Sequence, residues 1–240
     1  MRLDKFICHH SGISRAEAKR VLRQDLVTCN GEIVRNGAYK VTPEIEVELD
    51  GRLLGEVKKR YIMLNKVADT ICSTVDEDYP SVINFLDELP NTRGLHIAGR
   101  LDVDTTGLVL ITDDGQWSHQ ITSPKKQCIK RYRVWLAEPL CADAEQQVEH
   151  GLQLHGEDEL TKPGLLERID DTEVLLTITE GKYHQVKRMF AALGNKVVGL
   201  HREQIGAIEL DEALFEGEWR ELTEEEIQSV WVNKTSQEIE

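Results

Sequence analysis

Apolar residues recur along this chain at two spacings, and each predicts a different kind of element. Short apolar or alternating runs predict strands at Tyr61 to Asn65, His96 to Ala98, Gly107 to Thr112, Tyr132 to Ala137, Val174 to Thr179 and Lys196 to His201. Helical spacing falls at Ser81 to Leu86, Gln116 to Ile121, Ala142 to His150, His184 to Leu193 and Glu224 to Val230. The clearest case is Val186, Met189, Phe190 and Leu193, which follow i, i+3, i+4, i+7, with Gly194 placed to end the helix. Strands outnumber helices and do not alternate regularly with them. The pattern therefore predicts an α+β fold with a mixed or antiparallel sheet, not a doubly wound one.

The first fifty residues read differently. Ser14-Arg15-Ala16-Glu17 has the spacing of a capping box and predicts a helix start. On that helix Arg15, Lys19 and Arg23 recur at i, i+4 and i+8, while Ala18, Val21 and Leu22 fall on other faces and can pack inward. Leu3 to Ile7 can form a companion helix, and Val27 to Val34 reads as strand, Asn30-Gly31 turn, strand. Gly51 to Lys59, with two glycines and few large apolar side chains, reads as a linker. The expected organisation is a small domain over 1–58, a larger one over 59–231, and a polar, disordered tail over 232–240.

Composition narrows the class. Of 240 residues, 40% are hydrophobic and 30% charged, the apolar runs are short, and no secretory leader opens the sequence, so a soluble cytoplasmic protein is expected. Five cysteines without a CxxC pair fit reduced thiols, and Cys8-His9-His10 is better read as a solvated helix end than as zinc ligands. The net charge of −14 argues against a nucleic-acid partner until its distribution is considered, for residues 1–40 carry +4 and the remainder −18. No P-loop, dinucleotide fingerprint or metal-ligand spacing occurs, so chemistry without cofactor or metal is expected.

Three segments hold candidate chemistry. Gly99-Arg100-Leu101-Asp102-Val103-Asp104-Thr105-Thr106-Gly107 sets an acidic pair between glycines, immediately before the apolar run Leu108 to Ile111. Taken alone it is an ordinary loop feeding a core strand. In Ile129 to Val134, alternation puts Lys130, Tyr132 and Val134 on one face and Arg131 and Arg133 on the other. In Glu180 to Gly194, the apolar stripe accounts for four residues, and Lys187 and Arg188 point elsewhere.

In this order the three segments resemble the motifs of the pseudouridine synthases, and residues 1 to about 50 resemble the S4 RNA-binding domain. The resemblance implies an S4-like domain followed by a catalytic domain with a bent mixed or antiparallel sheet flanked by helices. It also implies a role for each motif: Asp102 is the catalytic carboxylate, Tyr132 lies against the target uracil, and Arg188 is the basic partner that stabilises the carboxylate form of Asp102. Lys187 precedes Arg188 where some relatives have two arginines. RNA would be met by Arg15, Lys19 and Arg23 on the small domain and by Arg100, Lys130, Lys187 and Arg202 around the larger one. Within the family, Asp113 to His119 with Leu160 to Pro163 most resemble a member acting on the small subunit, which implies 16S rRNA, at uridine 516, as the partner, within a partly assembled small subunit; a monomer is expected. Three alternatives remain: a 23S rRNA uridine as target, a non-catalytic S4-type assembly factor, and a base-excising hydrolase.

Overall fold

In the computed structural model, which describes residues 1–55, 59–89, 92 and 94–231, the Ser14 capping box closes. The Ser14 hydroxyl accepts from the Glu17 amide at 3.2 Å, and the Ser14 amide donates to the Glu17 carboxylate at 2.7 Å. The box opens helix α2 (Arg15–Arg23), which follows α1 (Leu3–Ser11). Leu3, Ile7, Ala18 and Leu22 pack from these helices against Val27, Val41 and Val47. Beneath them runs an antiparallel sheet of β1 (Val27–Cys29), β2 (Glu32–Ile33), β3 (Val47–Leu49) and β4 (Arg52–Leu53), in the order β2-β1-β3-β4. Asn30 and Gly31, at φ 50° and 80°, make the left-handed two-residue turn expected of that pair. Asp50 and Gly51 do the same at φ 52° and 72°, joining β3 to β4. The segment read as a linker thus begins with a strand, because Asp-Gly after an alternating run is itself a hairpin signal. Its residues 56–58 lie outside the described residues, as does the tail 232–240. The first compact unit is Met1–Lys59 and the second Arg60–Glu240.

The second unit is built on β5 (Tyr61–Lys66), β6 (His96–Ala98), β7 (Thr106–Thr112), β8 (Lys130–Leu136), β9 (Leu165–Arg168), β10 (Glu173–Ile178), β11 (Val197–Ile205), β12 (Ile208–Glu209) and β13 (Trp219–Glu221). Their order is β13-β5-β7-β11-β8-β10-β9, with β6 added to β7 and β12 to β11. Every pairing among the described strands is antiparallel except β7 with β11. Helices α3 (Gly115–Thr122), α4 (Ala144–His150), α5 (Gln185–Ala192) and α6 (Glu224–Ser229) flank it, and Val82–Leu86 is a 3-10 turn. Two register shifts where β11 meets β8 mark β-bulges, the usual means of bending a sheet.

Leu108-Val109-Leu110-Ile111 shows why β7 reads as a solid apolar run. Leu108 and Leu110 face one core with Met63, Trp117, Ile121 and Ile205. Val109 and Ile111 face another with Ile62, Leu64, Val82 and Leu86. A strand buried on both faces has no polar alternation to show. A third core joins Val134, Leu176 and Leu200 to Val186, Met189 and Phe190 of α5. Leu101 packs against this core and against the Val109 core, so the residue before Asp102 is anchored where the two meet.

Candidate active site

The loop over residues 99–105 carries Asp102 to the start of β7, at the one parallel junction among the described strands of the sheet. There Arg202 of β11 lies between two neighbours, paired with Gly107 on one side and Tyr132 on the other. Gly107 has φ +100°, and a Cβ there would stand 2.4 Å from the Arg202 carbonyl oxygen, so only glycine fits. Two buried cations hold the loop. Arg202, 1% exposed, donates to the carbonyls of Leu108 at 2.8 Å, Arg100 at 3.3 Å and Gly99 at 2.9 Å. Lys66, also 1% exposed, donates to Val67, Val103 and Thr105 at 3.0, 3.1 and 2.8 Å. Carbonyls on both sides of Asp102 are thereby bound by charged donors, the stronger class of hydrogen bond. Burial pushes the Lys66 ammonium below its ordinary range, opposed by Cys72, Asp104 and Asp102. The Leu101 amide donates to the buried Cys72 thiol at 3.3 Å.

Each oxygen of Asp102 has a basic neighbour. Lys187 Nζ lies 3.3 Å from Oδ2 and His184 Nε2 3.5 Å from Oδ1. Lys187 also reaches Asp104 at 2.5 Å, and that hydrogen bond holds Asp104 below the usual carboxylate range. Burial works against the Lys187 charge, but the bond to Asp104 and the charges of both aspartates outweigh it and raise its pKa. The expected pairing of Arg188 with Asp102 is not formed. Val186, Met189 and Phe190 turn α5 inward, and one residue along a helix is about 100° around it. Lys187 consequently meets the carboxylate, while Arg188 binds Glu157 at 2.9 Å and the carbonyls of His155 and Tyr183 at 2.7 and 3.1 Å.

Asp102, Lys187 and His184 line a cleft of about 660 Å³ together with Arg100, Lys130, Tyr132, Tyr183 and Arg202. That volume suits a single nucleotide-sized ligand. Tyr132 is 8% exposed, and its ring centre lies 6.0 Å from the Arg202 guanidinium carbon. Arg100 is exposed. Lys130 is half-buried, donating to the Cys128 carbonyl at 2.8 Å, and burial lowers its pKa. Arg202 is a buried brace rather than the exposed phosphate contact its charge predicted, because the loop carbonyls use its donors. Arg15, Lys19 and Arg23 are all exposed on α2 of the first unit.

Lys66 and His184 received no role from the sequence. A lysine closing an apolar strand gives little sign that it is a buried brace. His184 stands at φ 46° as the N-cap of α5 without a side-chain cap bond, and only the folded backbone shows it.

Comparison with known proteins fits this arrangement. The RNA pseudouridylate synthase family matches residues 60–192, and the S4 domain matches residues 1–47. The chain is 59% identical over 231 residues to ribosomal small subunit pseudouridine synthase A of Escherichia coli K12, covering 96% of this chain and 100% of the relative. Its identity to the protein of that name from Vibrio cholerae is 56%, with the same coverage. A crystal structure of a pseudouridylate synthase, 53% identical, covers 96% of this chain and 99% of its own, with a TM-score of 0.70. Three motifs in order, an aspartate and a tyrosine in one cleft and near full-length identity agree: this chain belongs to the RNA pseudouridylate synthase family, enzymes that isomerise uridine within RNA.

Proposed function

We propose that this protein converts uridine 516 of 16S rRNA to pseudouridine, working in the cytoplasm as a monomer on a partly assembled small subunit. The observation that carries this reading is the Asp102 carboxylate, held by Lys187 and lining one cleft with Tyr132, in a chain 59% identical to a small-subunit synthase. The uridine leaves its stack, and Tyr132 supplies the replacement π-surface. Asp102 acts as nucleophile or base, at C1′ or on the ring. The C1′–N1 bond breaks, the base turns, and C1′ joins C5. The C5 proton leaves, with the Tyr132 hydroxyl assisting, and N1 is protonated, so the formula of the nucleoside is unchanged. Lys187 takes the orienting role that the motif assigned to Arg188. Arg100, Lys130 and Lys187 give the cleft cations for the RNA strand.

Tritium release from 16S rRNA labelled with 5-³H-uridine, alone and with small-subunit proteins, tests the proposal. Wild type should release label and Asp102→Asn should bind without release. Release only from 23S rRNA moves the target, free uracil among the products indicates hydrolysis, and no release from any form leaves an RNA-binding assembly factor.

A further inference from the structure

We propose that Tyr183, backed by His184, is a stacking platform for an unpaired nucleobase beside the uridine that enters the cleft; this rests on the RNA substrate proposed above. Tyr183 is 74% exposed yet lines the cleft that holds Asp102. Single exposed aromatic residues are common and carry no meaning by themselves. This one is held in place. Its ring is stacked on the His184 imidazole, with centroids 3.8 Å apart and planes 20° from parallel. Its carbonyl accepts from Arg188 at 3.1 Å. The turn before it is fixed by Gln185, 4% exposed, which accepts from the Lys182 amide at 2.8 Å and donates to Glu180 at 2.6 Å.

His184 shows what the fold gives up for this arrangement. A non-glycine residue at φ 46° and ψ 37° is strained, and such strain gathers at functional sites. The position is also a helix N-cap, where serine, threonine, aspartate or asparagine would satisfy a backbone donor, and the imidazole does not. What the imidazole does instead is place one edge 3.5 Å from Asp102 and one face against the Tyr183 ring. One face of the phenol is therefore covered and the other, given its exposure, is open to solvent.

The open face of an immobilised aromatic ring takes another flat π-surface, and unstacked bases are the flat surfaces an RNA presents. Cations select a nucleic-acid strand over an apolar protein segment here, since Arg100, Lys182 and Lys187 line the same cleft. Tyr132 cannot fill this role as well, because at 8% exposure it serves the floor of the cleft. Extruding a uridine also exposes the bases it leaves behind, and a platform outside the floor compensates one of them.

The test uses full-length protein and a 16S rRNA fragment with 2-aminopurine placed in turn at each position flanking the target uridine. Wild type, Tyr183→Ala, Tyr183→Leu and Tyr183→Trp are compared by fluorescence and by steady-state kinetics. One position should be quenched on binding wild type or Tyr183→Trp and stay bright with Tyr183→Ala and Tyr183→Leu. The KM of the alanine variant should rise roughly 5- to 150-fold, the range of base–aromatic stacking, with the loss falling on KM rather than kcat. Equal quenching in wild type and Tyr183→Ala at every position, or an unchanged KM, overturns the platform. So does a defect confined to kcat. Tyr183-dependent quenching on an RNA in which wild type forms no pseudouridine keeps the platform and rejects the proposed reaction.

Discussion

A single step along α5 decides which cation serves the Asp102 carboxylate. Lys187 donates to Asp104 and neighbours Asp102, whereas Arg188 binds Glu157 and two carbonyls. Lys187→Met should slow single-turnover tritium release roughly 10- to 100-fold, the worth of a hydrogen bond to a charged group, and Lys187→Arg should restore much of it. Arg188→Met should cost stability and RNA affinity, with turnover at saturating RNA little changed. The opposite ranking would return the orienting role to Arg188. That Asp102 and Tyr132 line one cleft was legible in the sequence, because their motifs fix them relative to a strand start and a strand face. The choice between Lys187 and Arg188 was not, since both side chains are long and basic and only the packing of Val186, Met189 and Phe190 sets the helix rotation. Lys66 and Arg202 were hidden for a related reason: their partners are backbone carbonyls of a loop distant in sequence, and carbonyls leave no mark in a sequence.

At the level of elements, legibility followed burial. The runs at Tyr61, Gly107, Tyr132 and Val174 became β5, β7, β8 and β10, long strands with at least one buried face. The misses were short. β4 and β12 have two residues each, β9 shows one buried position in four, and β13 shows none. Such segments owe their conformation to the strand beside them. The β7–β11 junction is the extreme case, a two-residue parallel contact on which the site depends. Gly107→Ala would drive a methyl into the Arg202 backbone at 2.4 Å from an already left-handed φ. The expected cost is roughly 2–5 kcal/mol, strain and steric overlap combined. Urea unfolding should show a lower midpoint at unchanged slope, and an equally stable alanine variant would mean that the junction yields freely.

Across the whole molecule, charge poses the problem that elements do not. A chain of net charge −14 is proposed to seek a polyanion, and the averaged field opposes that encounter. Screening limits the field, because at physiological salt it decays over about 8 Å, so RNA responds to the surface it meets rather than to the sum. In the first unit that surface includes α2, whose Arg15, Lys19 and Arg23 are exposed while Ala18 and Leu22, on the adjacent stripe, are buried. If the stripe binds phosphates, its contribution is counterion release, which is sequence-independent and separable from the chemistry of the second unit. Replacing all three cations with alanine should make the log–log salt dependence of rRNA binding shallower by about 2 and weaken binding most at low salt. The single-turnover rate at saturating RNA should stay near that of wild type, since none of the three lines the Asp102 cleft. An unchanged salt slope would make α2 a solvated face and leave the cations of the cleft to hold the RNA alone.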